Sequence, residues 1–342
     1  MHDALKLTAY LGERDRADGA FVADRLLDLY ERHGLAASVL LRGIEGFGAR
    51  RHVHTQRLLT LSDDLPLVAV AVDRRERIEA VVPEVEALDF DGLVTLERAR
   101  LMDGAVTGDL PGETRLMVYL GRHERIAGRP AHVAVVAALH AHGVAGATVL
   151  LGVDGTDRGE RRRAAFVGSN ARVPLIVQAV GDGAAMTEAL AQVGGARIAT
   201  VERVTVLRRD GRRVADIPRA PASGEPMQLK LTVYAGEQSR HGDGPLYLEL
   251  IRGLRVAGAA GATALRGIWG YHGDHEPHGD RLLALARRVP VVTTVVDEAD
   301  RARRWFAEVI EPVTGATGLV TSEWVPVAHT RAESAGRATF QG

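Results

Sequence analysis

Lys6-Leu-Thr-Ala-Tyr-Leu-Gly12, Arg115-Leu-Met-Val-Tyr-Leu-Gly121 and Lys230-Leu-Thr-Val-Tyr-Ala-Gly236 are variants of one heptapeptide. Gly12 and Gly121 lie 109 residues apart, Gly121 and Gly236 lie 115 apart, and the same offsets carry Gly43 to Gly152 and then to Gly267. Further on, Leu65-Pro66, Val173-Pro174 and Val289-Pro290 recur. Each copy closes on a Thr-x-Glu: Thr95 and Glu97, Thr200 and Glu202, Thr321 and Glu323. Landmarks kept in one order three times define a tandem repeat, so the fold is that of one small unit used three times.

The unit reads as βαββαβ. Leu5, Leu7, Ala9 and Leu11 alternate with Lys6, Thr8 and Tyr10, the period of a half-buried strand. Val22, Leu26, Leu27 and Tyr30 then form a helical stripe, repeated as Leu246, Leu250, Ile251 and Leu254. Gly34, Gly143 and Gly258 follow where a left-handed helix cap is wanted. A second strand over about 37–42 leads into a glycine-rich loop, and a third runs from Leu65 to Val72. Ile78, Val81, Val82, Val85 and Leu88 mark a second helix, and Leu93 to Glu97 a last strand. Two helices on one face of four strands is the ferredoxin-like arrangement. The fold expected is α+β, with repeats at 3–98, 114–207 and 228–327. The other sheet face carries Lys6, Thr8 and Tyr10, then Arg115, Met117 and Tyr119, then Lys230, Thr232 and Tyr234. A tyrosine recurring there favours packing against a neighbouring copy over a solvated face.

Composition narrows the function classes. Formal net charge is −1 over 342 residues, so the bulk charge gives no reason to expect general nucleic-acid or membrane-surface binding. The chain has no cysteine, which removes disulfides, thiolate nucleophiles and cysteine metal sites. No apolar run approaches the roughly 20 residues of a membrane helix, and the first residues lack the pattern of a signal peptide. A cytoplasmic protein is expected. Residues of about 99–114 and 208–227 read as polar, Pro/Gly-rich linkers, the second with a solvated Arg208-Arg-Asp-Gly-Arg-Arg213 cluster. Residues 328–342 read as a disordered tail.

A family resemblance rests on particular residues. Copy one has Leu41-Arg42-Gly43-Ile44-Glu45-Gly46-Phe47-Gly48, then His54-Thr-Gln-Arg57-Leu-Leu59 and Leu65-Pro66. Copy three has Arg266-Gly267-Ile268-Trp269-Gly270-Tyr271, then His278-Gly-Asp-Arg281-Leu-Leu283. This pattern resembles the PII-like proteins called domain of unknown function 190. Copy two departs: Leu151 replaces the arginine, Val153-Asp154-Gly155-Thr156 replaces the aromatic loop, and Arg162 and Ala165 stand where the His and Arg fall. The resemblance implies PII-like units that ordinarily form a homotrimer, here fused into a monomeric pseudo-trimer. It also implies a signalling protein that binds a small anionic metabolite or nucleotide between units and acts on a partner, often a membrane transporter.

The candidate ligand-binding residues follow. Arg42, Gly43, Gly46 and Gly48, with Arg266, Gly267 and Gly270, form a loop whose glycines can present N–H groups to an anion while arginine offers a fork. The competing reading is a tight turn whose arginine pairs with a nearby acid. His54, Arg57, His278 and Arg281 follow in the same loops. His272, His275 and His278 are candidate metal ligands, though their spacing fits no standard zinc site. Arg16, Arg125 and Arg240 recur after the first strand, beside Glu13, Arg122 and Glu237, as surface charges or cleft-lining groups. Thr314-Gly-Ala-Thr-Gly318 falls where PII-type proteins approach ligand phosphates, but lacks lysine. No Walker sequence, nucleophile elbow or zinc-hydrolase helix is present. No cofactor and no enzymatic activity are expected. The alternatives are a metal-binding protein using the histidines, or an enzyme acting on a phosphorylated metabolite in the same clefts.

Overall fold

A computed structural model describes residues 1–48, 54–55, 65–103, 110, 112–162, 173–194, 198–222, 226–272, 277–279, 289–315 and 317–330. Copy one comprises β1 (His2–Gly12), α1 (Val22–Arg32), β2 (Ala37–Arg42), β3 (Glu45–Phe47), β4 (Pro66–Arg74), α2 (Arg75–Glu86) and β5 (Leu93–Asp103). Copy two comprises β6 (Glu113–Gly121), α3 (Ala131–Ala141), β7 (Gly146–Asp157), β8 (Pro174–Asp182), α4 (Gly183–Val193), β9 (Ile198–Arg203) and β10 (Thr205–Arg209). Copy three comprises β11 (Met227–Gly236), α5 (Leu246–Ala257), β12 (Ala262–Arg266), β13 (Trp269–His272), β14 (Pro290–Asp297), α6 (Ala299–Trp305) and β15 (Leu319–Thr330).

The three copies share one antiparallel strand order: β2-β4-β1-β5, β7-β8-β6-β9 and β12-β14-β11-β15. Alternation along β1 explains its two faces. Leu5, Leu7, Ala9 and Leu11 join Leu26, Leu27, Tyr30 and Ile78 in a core beneath the helices. Copies two and three build the same core around Leu139 and Leu250. Gly34, Gly143 and Gly258 all take positive φ after their helices, as the cap geometry requires. Among the described residues no helix is long and apolar enough to cross a membrane.

Strands also pair between copies. The end of β7 pairs with β2, β13 with the start of β7, and β3 with β12. A second set joins the last strands: β5 with β9, β10 with β15, and the end of β15 with β5. Each pair of copies therefore shares two ladders, and the chain closes on itself. These ladders explain three departures from the sequence reading. Residues 99–103 are strand rather than linker because they extend β5 to meet β9. His329 and Thr330 extend β15 onto Val94 and Leu93, where His329 stacks on Phe90, instead of belonging to a disordered tail. Arg208 is buried in β10 and bonds Glu311 at 2.6 Å, so the arginine cluster is not simply solvated.

One buried group works against the fold. The Tyr30 hydroxyl, at 0 % exposure, finds no hydrogen-bond partner among the described residues. Leu139 and Leu254, core residues of the corresponding helices, carry no such group. An unsatisfied buried hydroxyl forfeits its hydration. Tyr30→Phe is expected to raise the unfolding free energy by about 1 kcal/mol, read from urea denaturation midpoints. A loss of stability would show that the hydroxyl has a partner.

Candidate functional site

The sheet face opposite the helices is buried between the copies, and its chemistry is ionic. Within each copy the register sets the first-strand cation opposite the last-strand carboxylate: Lys6 opposite Glu97, Arg115 opposite Glu202, Lys230 opposite Glu323. Three copies bring these six groups together. Lys6 Nζ donates to both Glu202 oxygens at 2.5 and 2.7 Å. Arg115 donates to Glu202 and, at 2.6 and 2.7 Å, to Glu323. Lys230 donates to Glu97 at 2.7 Å and pairs with Glu323 at 3.1 Å. Each copy is thus tied to another by a cation. Glu97 also accepts from Thr8 and Thr95, each at 3.0 Å. Attraction from Arg115 and the two lysines holds the Glu202 and Glu323 carboxyls below the usual range, although burial opposes it. Sequence reading noticed both rows without pairing them. The signal was opposite charge at matched repeat positions.

The predicted glycine loops lie at the junctions between copies. Gly43 N–H donates to Pro66 O and Ile44 N–H to Ala264 O of copy three. Gly267 and Ile268 repeat this with Pro290 O and Val149 O of copy two. Those donors are spent on strand carbonyls, so they do not form the expected anion nest. The glycines allow close approach: a Cβ on Gly46 would sit 2.7 Å from Ala262 O, and one on Gly267 2.9 Å from Thr148 Cγ2. Copy two keeps the spacing as Gly152 and Gly155. The next residue enters the neighbour. Phe47 lies in the core of copy three and Tyr271 in that of copy two, where its hydroxyl donates to Val144 O at 2.9 Å. Copy two uses Thr156, bonded to Ser38 of copy one at 2.8 Å.

The predicted charges separate into pairs. Arg42 bonds Glu13 at 2.7 Å and Arg266 pairs with Glu237 at 3.2 Å. Copy two has lost both members, with Arg122 and Leu151 in their places. Arg16 caps its own hairpin through Gly19 O at 2.8 Å and lies over the Phe21 ring. Arg240 likewise donates to Asp243 O, and Arg125 stands exposed on the matching hairpin. Gly48 is exposed. His54 and His278 pair through their backbones with Gly46 and Gly270. Arg57, Arg281 and His275 lie outside the described residues, as do the side chains of His54 and His278. Among the described residues no cluster of three metal-ligating side chains occurs. In the described part of the copy-two loop the arginines are paired. Arg161 is held by Asp154 at 2.8 Å and by Asp24 and Asp28 of copy one, while Arg162 pairs with Glu160.

Open space is found at the junction of copies two and three. It is a cleft of about 30 Å³, where Tyr234, Tyr271, His272 and Gly318 meet Thr148, Gln178 and Arg209. Gln178 donates to the Tyr234 hydroxyl across it at 2.8 Å. The volume admits a water or two, so a larger ligand enters only if the copies move apart.

The family model DUF190, described as an uncharacterized group, matches residues 4–101, 113–206 and 228–327. A UPF0166 protein of Methanocaldococcus jannaschii is 28% identical over 99 residues, 29% of this chain and 91% of that protein. A UPF0166 protein of Aquifex aeolicus is 28% identical over 91 residues, 27% of this chain and 86% of that protein. Among solved structures, an aspartate kinase from Synechocystis aligns over 94% of this chain and 44% of its own, at 13% identity and a TM-score of 0.27. That likeness carries no argument.

Proposed function

The chain belongs to the DUF190 family in three tandem copies, and on that premise we propose that it is a cytoplasmic PII-like regulator. In this reading three ferredoxin-like units stand to one another as the subunits of a trimeric ring, and a small anionic metabolite or nucleotide binds between them. The observation that carries it is the cleft between copies two and three, where Arg209 and Gln178 of one copy face Tyr234 and His272 of the next. Ligand pockets commonly combine aromatic walls with a few convergent polar groups, and this one draws those groups from two copies. Because the cleft is nearly closed, occupation has to shift one copy against another. Such a movement is what a regulator would pass to a protein partner, of which a membrane transporter is one class.

Thermal unfolding tests this with adenine nucleotides, phosphate, small dicarboxylates and Zn²⁺ as probes. One organic anion or nucleotide should raise the melting temperature, since a ligand at 100 times its Kd adds about 2.7 kcal/mol. Arg209→Ala should weaken that response at least tenfold in apparent Kd while folding is kept. A response confined to Zn²⁺ would favour a metal-binding protein, and turnover of a phosphorylated probe an enzyme. No response to any anion would refute the reading.

A further inference from the structure

A second cavity lies among the three copies, beside the buried charges. Its volume is about 50 Å³, and its wall includes Lys6, Arg115, Lys230, Tyr10, Gln178 and Thr232. All three copies contribute, and the three cations are each at most 5% exposed. The carboxylates that pair with them do not border the cavity. Its remaining polar wall is hydroxyl and amide, and the rest is apolar, as at Val68 and Leu150. The six charges balance, yet they are polarised: of the charged groups only the cations line the space. Burial and the neighbouring cations push the Lys6 ammonium below its ordinary range, against the pull of Glu202 and Glu97.

We propose that this cavity binds one small monovalent anion, of halide size, shared by the three copies. Shape and chemistry set the class. A water needs about 10–15 Å³ of such space, so the cavity takes a halide ion with a few waters beside it, whereas a nucleotide does not fit. Lysine, arginine, threonine, tyrosine and glutamine supply N–H and O–H donors. A partly apolar wall favours weakly hydrated ions, bromide above fluoride. The cavity adjoins the cleft between copies two and three, with Gln178 lining both, and its other lining residues are its own.

Crystals grown in sodium bromide give a direct test through bromine anomalous scattering. A peak bordered by Lys6, Arg115 and Lys230 is expected. Water in the cavity, with bromide confined to the surface, would overturn the proposal. Melting in solution gives the second test, with bromide compared with fluoride at equal ionic strength on the intact chain. A saturable rise of roughly 2–4 °C in bromide is expected. Melting that is the same in both salts, or that changes linearly without saturating, would overturn it.

Discussion

Glu202→Gln should lower the unfolding free energy by about 3–5 kcal/mol, the range for breaking a buried ion pair by removing one partner. Glu202 is 1% exposed and takes hydrogen bonds from Lys6 of copy one and Arg115 of its own copy. The amide keeps the shape but removes the charge, leaving the three buried cations Lys6, Arg115 and Lys230 with only Glu97 and Glu323 to balance them. The cost arises from that imbalance and is not a measure of the network's net worth. Replacing the whole network with packed apolar residues would cost far less and could stabilise the chain. The measurement is a urea denaturation midpoint with the slope checked for constancy, because three linked units need not unfold together. A loss under about 1 kcal/mol would mean that the cluster is hydrated and relaxes freely.

The same carboxylates set a pH signature. The folded-state pKa values of Glu202 and Glu323 lie below the ordinary value of 4.5. Each therefore contributes stability that is fully present above the unfolded value and is lost as pH falls from there toward the folded value. The wild-type chain should weaken steeply on acidification below about pH 4.5, and Glu202→Gln should flatten that dependence by removing one depressed carboxyl. Lys230 acts at the other end. Its pKa is raised by Glu323 and Glu97 against its burial, so its contribution holds below the ordinary lysine range and fades as pH rises beyond it.

The unit was legible in the sequence, and the junctions were less so. Alternation along residues 5–11 and the stripe at Val22, Leu26, Leu27 and Tyr30 depend on near neighbours, so periodicity reports them directly. The recurring tyrosine at positions 10, 119 and 234 was enough to expect a face covered by another copy. Cross-copy pairing depends on residues more than a hundred positions apart, and no local pattern encodes it. Residues 99–103 consequently read as linker although β5 needs them to reach β9. Arg42 and Gly43 read as an anion loop because an arginine-glycine turn has the same composition whether its donors face a ligand or a neighbouring strand. Ion pairing was legible in outline, since copy two changes Glu13's and Arg42's counterparts together, to Arg122 and Leu151.

Phe47→Ala should cost about 3–5 kcal/mol, the usual range for truncating a buried aromatic, and the loss should fall on one particular junction. Phe47 belongs by sequence to copy one but is packed in the core of copy three among residues such as Leu229, Leu246 and Leu250, at 3% exposure. Copies one and two, and copies two and three, are joined by chain. No linker joins copies three and one; among the described residues they meet through the β3–β12 and β15–β5 ladders, the Lys230–Glu97 pair, the Ile44–Ala264 bond, the His329–Phe90 stack and this ring. Removing the ring leaves a cavity in copy three and weakens the one junction that no peptide bond secures. Reclosure stays intramolecular, so the effective concentration of the two faces remains near the millimolar range, and the chain should loosen without becoming a chain trimer. Small-angle scattering at moderate urea should show the variant expanding before its helices melt by circular dichroism. Tyr271→Phe supplies the comparison: it keeps the ring in copy two's core and loses only the bond to Val144 O, which should cost about 1 kcal/mol. If Phe47→Ala is no more costly than Tyr271→Phe, or if expansion and helix melting coincide, the aromatic insertion does not hold copies three and one together.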